Sequence, residues 1–163
     1  MAQRIHTNEI LAELLRIFET DLKTSLDLKG IYRGELNWLP PEAVDTLVNG
    51  VWIMPSLTMN IDRVTIPRGL LVNYNFRVVY VRRLGLNENP IERKIADTNT
   101  IVEYLIDNFT LPSLTLTNGD LLWCFPTQVE NECLEDLFVT GVAADLIATA
   151  FTINCQVRTN HRA

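Results

Sequence analysis

The sequence contains few of the residue types from which catalytic sites are usually built. It has 2 histidines and 3 cysteines among 163 residues. His6 and His161 lie near opposite ends of the chain, so a Ser-His-Asp or Cys-His arrangement needs both termini in one site. A histidine close to a chain end is usually solvated, and we expect this of both. The sequence therefore predicts neither an enzyme nor a bound cofactor.

The glycines and cysteines exclude further classes of site. The 7 glycines all stand singly, so the chain has no phosphate-binding loop and no nucleophile elbow. The cysteines, Cys124, Cys133 and Cys155, show no Cys-x-x-Cys spacing. Cys124 and Cys155 lie in apolar alternating segments, where a buried thiol in a reducing cytoplasm is the simplest expectation.

Long apolar runs, linkers and repeats are also lacking. The longest apolar stretch, residues 137–151, is interrupted by Asp145 and is too short to span a bilayer. The first ten residues show no charged-then-apolar secretory pattern. We therefore expect one soluble domain over residues 1–163, with an ordered core at about 8–159 and no membrane partner.

Basic residues are missing from a long part of the chain. Residues 95–157 hold nine acidic residues and no lysine or arginine, although the net charge of the chain is only −6. One interpretation is a solvated acidic face, and the other is a surface that repels polyanions or meets a basic partner. Because no basic stripe is available to cover phosphates, sequence-specific binding to nucleic acid is disfavoured.

The longest regular pattern is "LLVNYNFRVVYVRR", residues 70–83. Its alternation of apolar and polar residues predicts a β-strand about 40 Å long, as long as a small domain is wide. The side expected to be buried carries Val72, Tyr74, Phe76, Val78 and Tyr80, and the other side carries Asn73, Asn75 and Arg77. The tyrosines could be a stacking platform for bases, but alternate positions facing helices favour the core.

A second long strand is predicted at residues 142–159. One side carries Ile147, Phe151, Ile153, Cys155 and Val157, and the other carries Ala148, Ala150, Thr152, Asn154 and Gln156. The second set is small and uncharged, whereas a solvated sheet face usually collects lysine and glutamate. The set is either a solvated Thr/Asn-rich face or a face that packs against another copy or another protein.

Two amphipathic helices are predicted. The first begins with Thr7 as N-cap and ends near Lys29-Gly30, with apolar residues at helical spacing between them. The second begins with Asn89 as N-cap, Pro90 at the first helical position and Glu92 at the third. Its expected apolar face is Ile91, Ile95, Thr98, Val102, Leu105 and Phe109.

The remaining segments connect these elements. We expect a short strand in "VWIMP", a loop at residues 59–69, a hairpin turn at Asn118-Gly119, and an irregular acidic segment at residues 127–141. The predicted fold class is α+β. It is a mostly antiparallel twisted sheet with two long strands, packed on one face by two amphipathic helices.

One acidic constellation, at residues 130–136, offers a route to chemistry. Glu130, Glu132, Glu135 and Asp136 are clustered there, and hard divalent cations prefer carboxylate oxygens. The spacing matches no EF-hand loop, and such loops are mostly solvated. A divalent-metal enzyme is therefore an alternative function, and a stand-alone module that binds a protein through the open sheet face is another.

The order of elements resembles the tail-terminator and neck proteins of tailed bacteriophages. The likeness is an N-terminal helix, "VWIMP", an irregular loop, a long strand, a crossing helix, a hairpin and a long C-terminal strand, over about residues 8–159. It implies a structural virion protein that assembles in the host cytoplasm. The family forms rings, typically hexamers, at the head-proximal end of the tail, so the implied partners are copies of the chain, the tail tube and the neck connector.

Two groups of site residues follow from the resemblance and from the strand faces. The expected interface positions, taken from the strand faces and the loop, are Arg63, Arg68, Asn73, Asn75, Arg77, Ala150, Thr152, Asn154 and Gln156. The family's lumens are often acidic, which suggests as lumen-facing residues Glu103, Asp107, Asp120, Glu130 and Glu132.

Overall fold

A computed structural model describes most of the chain. The described residues are 6–34, 48–56, 59–64, 69–108, 126–132 and 146–160. The backbone alone is described for 62–64, 69–70, 126–132 and 158–160. The predicted hairpin turn at Asn118-Gly119 lies outside these ranges.

The described elements are two N-terminal helices, four strands, a third helix and two further strands. In chain order they are α1 (Thr7–Thr20), α2 (Leu22–Ser25), β1 (Gly30–Arg33), β2 (Gly50–Pro55), β3 (Asn60–Val64), β4 (Gly69–Arg83), α3 (Pro90–Asn108), β5 (Pro126–Glu132) and β6 (Leu146–Asn160). The prediction of an α+β fold is confirmed. None of the described helices is long and apolar enough to cross a membrane.

The strands form one mixed sheet in the order β1-β2-β4-β6-β5, with β3 paired to β4 beside β2. Strands β1 and β2 run parallel, and the other pairs are antiparallel. The central pair is β4 and β6, which are in register from Gly69↔Asn160 to Arg83↔Leu146. These strands correspond to the long strands predicted at residues 70–83 and 142–159.

Strand β4 has two different neighbours along one edge. Strand β2 pairs with Phe76–Val81, and β3 pairs with Gly69–Asn73. Pro55 ends β2 because proline has no N–H for the ladder, and the Ser56 N–H then donates to the carbonyl of Asn75 at 2.7 Å. The prediction of a loop throughout residues 59–69 was therefore wrong, because β3 resumes the pairing after this interruption.

The core lies between the helices and one face of the sheet. It includes the predicted inward side chains of β4, those of β6 except Ile147, and those of α1, with Ile101 and Leu105 of α3. Two buried tyrosines join β4 to the helix ends. The Tyr74 hydroxyl accepts a hydrogen bond from the His6 N–H at 3.2 Å, and the Tyr80 hydroxyl donates to the Leu26 carbonyl at 2.7 Å. The assignment of these tyrosines to the core is confirmed.

The N-terminal helix begins and ends differently from the prediction. His6, not Thr7, is the N-cap, and it is fully buried beside Tyr74, so the expectation of a solvated histidine was wrong. The helix is divided at Asp21, and α2 ends before Gly30 because Asp27 adopts a positive φ of 51°. The N–H of Leu28 then bonds to the carbonyl of Lys23, as in a Schellman motif.

Helix α3 starts at the predicted residue but presents a different face to the core. Asn89 Oδ1 accepts from the N–H groups of Ile91 (3.0 Å) and Glu92 (3.4 Å), which confirms the predicted cap. The buried residues are Asp97, Thr98, Ile101 and Leu105. Ile91 and Ile95 are exposed, so the predicted apolar face was wrong at the first two turns.

Candidate protein interface

The face of the sheet opposite the helices carries a ladder of polar side chains along β4 and β6. Residues that are direct partners across two strands lie on the same face, so each pair forms one rung. The rungs, which we call the polar ladder, are Asn73–Gln156, Asn75–Asn154 and Arg77–Thr152. All six side chains are half-buried. Thus six of the predicted interface residues lie on one continuous surface.

The hydrogen-bonding chemistry of the polar ladder suits contact with another protein. The Gln156 amide donates to Asn73 Oδ1 at 3.1 Å, which holds the first rung together. Amide side chains can both donate and accept, and they carry no charge whose desolvation must be compensated. Arg77 provides the only charge among these six residues, and Glu130 of β5 lies beside Thr152 at a register position on the same face. A partner placed on this surface can therefore form hydrogen bonds without burying many charges.

The same face becomes apolar toward the other end of the strands. A second buried cluster consists of Trp52, Val79, Val81, Leu146, Ala148 and Ala150, with Val48 packed against it. Ala150 is only 1% exposed, so the prediction that it lies on an open interface is corrected. The end of the ladder nearest this cluster is the Arg77–Thr152 rung.

An aromatic pair lies beside the apolar end of this face. Tyr32 of β1 is opposite Trp52 of β2, and their rings stack with centroids 5.0 Å apart at 25°. Trp52 is buried, whereas Tyr32 remains partly exposed at the edge of the sheet. The stack closes the apolar cluster on the β1 side.

The two arginines predicted at the interface do not belong to the ladder. Arg63 lies on β3 at the register position opposite Leu70, three positions after Asn60, which pairs with Asn73. The odd number of positions places Arg63 on the face of the sheet opposite the ladder. Arg68 lies outside the described residues. The structure therefore places Arg63 on a strand beside the ladder, not in a loop.

The predicted acidic residues are divided between two elements. Glu103 and Asp107 are exposed on α3. Glu130 and Glu132 lie on β5, at the register positions opposite Thr152 and Ala150. The expectation of an irregular segment from residue 127 was thus wrong as far as Glu132. Asp120 lies outside the described residues.

The acidic constellation at residues 130–136 is described only as far as Glu132. Within the described ranges, no group of three or more His, Cys, Asp or Glu side chains is arranged to hold a metal ion. Cys155 is a buried free thiol within the core, as predicted, while Cys124 and Cys133 fall outside the described residues.

A charge network centred on the buried Asp97 joins α3 to the end of β4 and was not predicted from the sequence. Asp97 Oδ1 lies 3.1 Å from Arg82 Nη1 and 3.3 Å from Arg93 Nη2. Burial raises the pKa of Asp97, and the two guanidinium groups offset part of that rise. The four-residue spacing of Arg93 and Asp97 on one helix indicates an ion pair between them. This spacing does not show that Arg82 of β4 also contacts Asp97.

No protein-family model and no curated protein sequence matches this chain.

Proposed function

We propose that the chain is a structural subunit of a tailed-phage virion. Copies form a ring, typically a hexamer, at the head-proximal end of the tail, where the ring terminates the tail tube and joins it to the neck connector. The observation that carries the proposal is the polar ladder on the two longest strands. It lies opposite the helices, is half-buried in a single chain, and has little charge to desolvate.

The arrangement of the sheet supports a role in assembly. Each central strand has 15 residues, and its edges are paired with neighbouring strands, so the face that carries the ladder is the surface left for a partner. In this proposal the sheet is mostly antiparallel and twisted, the helices cover one face, and neighbouring copies or tail proteins cover the ladder. The chain then has no catalytic task, and it is located in the virion after assembly in the host cytoplasm.

The acidic part of the chain supports a DNA-conducting ring. Glu103 and Asp107 are exposed, and residues 95–157 contain no basic residue that could neutralise them. Repeated around a ring, such carboxylates repel duplex DNA over a range of about 8 Å at physiological salt. A lumen with this charge lets DNA pass without binding it.

The oligomeric state tests the proposal directly. We expect light scattering after size-exclusion chromatography to give a ring for the wild type. We expect Thr152→Lys and Asn154→Glu to give smaller species, because each adds a charge to a packed contact at a cost of several kcal/mol. Thr24→Lys, on the exposed surface of α2, is the matched control and should leave the ring intact.

The biological test is assembly of virions in cells. Loss of the chain from the assembling phage should leave heads and tails unjoined, and complementation with Thr152→Lys should not restore joining. A wild-type protein that stays monomeric at all accessible concentrations would contradict the ring. If the monomeric protein instead bound a single protein partner, the chain would be a stand-alone binding module and not a ring subunit.

A further inference from the structure

Buried polar atoms without hydrogen-bond partners are concentrated around Asp97. Asp97 Oδ2, Arg82 Nε and Arg93 Nε are all buried and have no hydrogen-bond partner within the described part of the chain. The same holds for Thr149 Oγ1, and Thr149 lies on the helix side of the sheet, diagonally across from Arg82. Native proteins satisfy nearly all such atoms, so a group of them in one place needs a water, an ion or another ligand to complete it.

Asp97 itself holds the two guanidinium groups in position. Its Oδ1 lies 3.1 Å from Arg82 Nη1 and 3.3 Å from Arg93 Nη2, so one carboxylate oxygen contacts a cation of β4 and a cation of its own helix. The side chain of Asp97 is only 2% exposed, whereas those of Arg82 and Arg93 are 20% and 36% exposed. The cluster therefore lies directly below the surface, and the two arginines separate it from solvent.

The charge of this cluster is positive. Arg82 and Arg93 supply two cations against the single carboxylate of Asp97. Glu88 is the next acidic neighbour, but it is exposed, and its Oε2 accepts a hydrogen bond from the Gly85 N–H at 3.1 Å. Solvent screens an exposed charge far more than a buried one. A ligand with one negative charge is therefore favoured over a cation.

The unpartnered atoms also define which anion fits the cluster. The Nε–H of an arginine can only donate a hydrogen bond, and the oxygen of a carboxylate can only accept one. The anion must therefore accept from the arginines and donate to Asp97 Oδ2. An oxyanion that retains a proton does both, whereas one without a proton is repelled by Oδ2. Inorganic phosphate retains a proton at neutral pH, and sulfate, which has the same shape, does not.

We propose that Arg82, Arg93 and Asp97 form a binding site for a small protonated oxyanion of the phosphate class. The oxyanion accepts hydrogen bonds from the two Nε–H groups, and its own O–H donates to Asp97 Oδ2. Hydrogen bonds between ionised groups are the strong ones, and here they link the end of β4 to α3. The site lies on the helix side of the sheet, away from the polar ladder, so it does not depend on the proposed ring.

Binding of inorganic phosphate to the full chain tests the site. We expect phosphate to bind in titration calorimetry and to raise the midpoint of thermal unfolding, and sulfate at the same ionic strength to do neither. Arg93→Gln removes one donor and one charge, and it should weaken phosphate binding about 10-fold or more. Arg33→Gln makes the same change of charge at an exposed position of β1 and should bind phosphate like the wild type.

Asp97→Asn should exchange the preference between the two anions. Asparagine has nearly the volume of aspartate, and its amide oxygen can still accept from the arginines. Its NH₂ group takes the place of Oδ2, so an anion without a proton is no longer repelled. We expect this variant to bind sulfate at least as tightly as phosphate. A loss of stability alone does not produce such an exchange.

Three results would overturn the proposed site. Equal stabilisation of the wild type by phosphate and sulfate would be a general effect of salt. No binding of phosphate would show that water alone completes the hydrogen bonds around Asp97. Equal weakening of phosphate binding by Arg93→Gln and Arg33→Gln would place the anion elsewhere on the protein. None of these results bears on the ring, which is tested by the oligomeric state.

Discussion

The two faces of the β4–β6 pair are built from the same strands but have opposite chemistry. On the helix side, Tyr74, Phe76 and Phe151 are almost completely buried among apolar neighbours. On the other side, one residue away along each strand, lie the amides, the hydroxyl and the guanidinium of the polar ladder. Each strand thus contributes one face to the core and leaves the other face partly open.

The two faces differ in how much they contribute to folding stability. Burial of large apolar side chains contributes to folding in proportion to the area removed from water. Half-buried amides contribute little in this way, since a protein–protein hydrogen bond largely replaces one to water. Folding stability therefore does not explain the ladder, whereas the proposed interface accounts for its low charge.

The largest expected effect comes from the helix side. Phe76 is fully buried and lies between Pro55 of β2 and Ile153 of β6, so Phe76→Ala leaves a cavity in the core. We expect it to lower the free energy of unfolding by about 3–5 kcal/mol. Urea denaturation at fixed protein concentration measures this as a lower midpoint with an unchanged slope.

A neighbouring residue on the other face is the matched control for Phe76→Ala. Asn75 lies on the same strand and belongs to the ladder. We expect Asn75→Ala to change the free energy of unfolding of the monomer by less than about 1 kcal/mol. Equal losses from the two variants would mean that the two faces contribute alike and would remove the contrast.

A smaller effect is expected from the hydroxyl that joins β4 to the end of α2. Tyr80→Phe leaves the buried Leu26 carbonyl without its 2.7 Å hydrogen bond, which should cost about 1–2 kcal/mol at neutral pH. Tyr74→Phe loses a longer bond of 3.2 Å and should cost less. Thermal or urea unfolding of the two variants compares these costs.

The pH dependence of this effect has a definite sign. Burial raises the pKa of Tyr80 to about 12, above the ordinary value of 10.0. The protonated hydroxyl therefore stabilises the fold fully below pH 10, and this contribution is lost as the pH rises through about 12. The stability difference between wild type and Tyr80→Phe should shrink across that window. If the stability difference stayed constant, the pKa of Tyr80 would be the same in the folded and unfolded states.

The alternating pattern of β4 was enough to place its two faces correctly from the sequence. The period of two assigns each side chain directly, and Tyr74 and Tyr80 lie in the core as expected. The N-cap at Asn89 could also be predicted, because its side chain accepts a hydrogen bond from a backbone N–H only two residues later.

Features that depend on tertiary packing could not be predicted from periodicity or local sequence. Ile91 and Ile95 look like core residues by spacing, yet the core takes Ile101 and Leu105 from an adjacent side of the same helix. Ala150 lies on the same face of β6 as Thr152, but it is buried in the apolar cluster at the other end of that face. In each case the periodicity gives the side of the element, while neighbours that are distant in sequence decide which part of it is buried.

The smallest expected change in stability concerns the acidic surface of α3. Asp107 lies in the last turn of the helix, which contains no basic residue and where the helix dipole disfavours an acid. Asp107→Lys should therefore raise the stability of the monomer by a few tenths of a kcal/mol, to about 1 kcal/mol at most. Glu19→Lys, on the exposed surface of α1, makes the same change of charge in another region.

DNA binding by the assembled ring shows whether this acidic surface faces the lumen. We expect the wild-type ring to give no mobility shift with duplex DNA, even at low salt, where basic surfaces bind best. The Asp107→Lys ring should retain DNA in a salt-sensitive way, because each copy adds a cation to the path, while the Glu19→Lys ring should not. Salt-sensitive retention by the wild-type ring, or equal retention by both variants, would show that α3 does not line the channel.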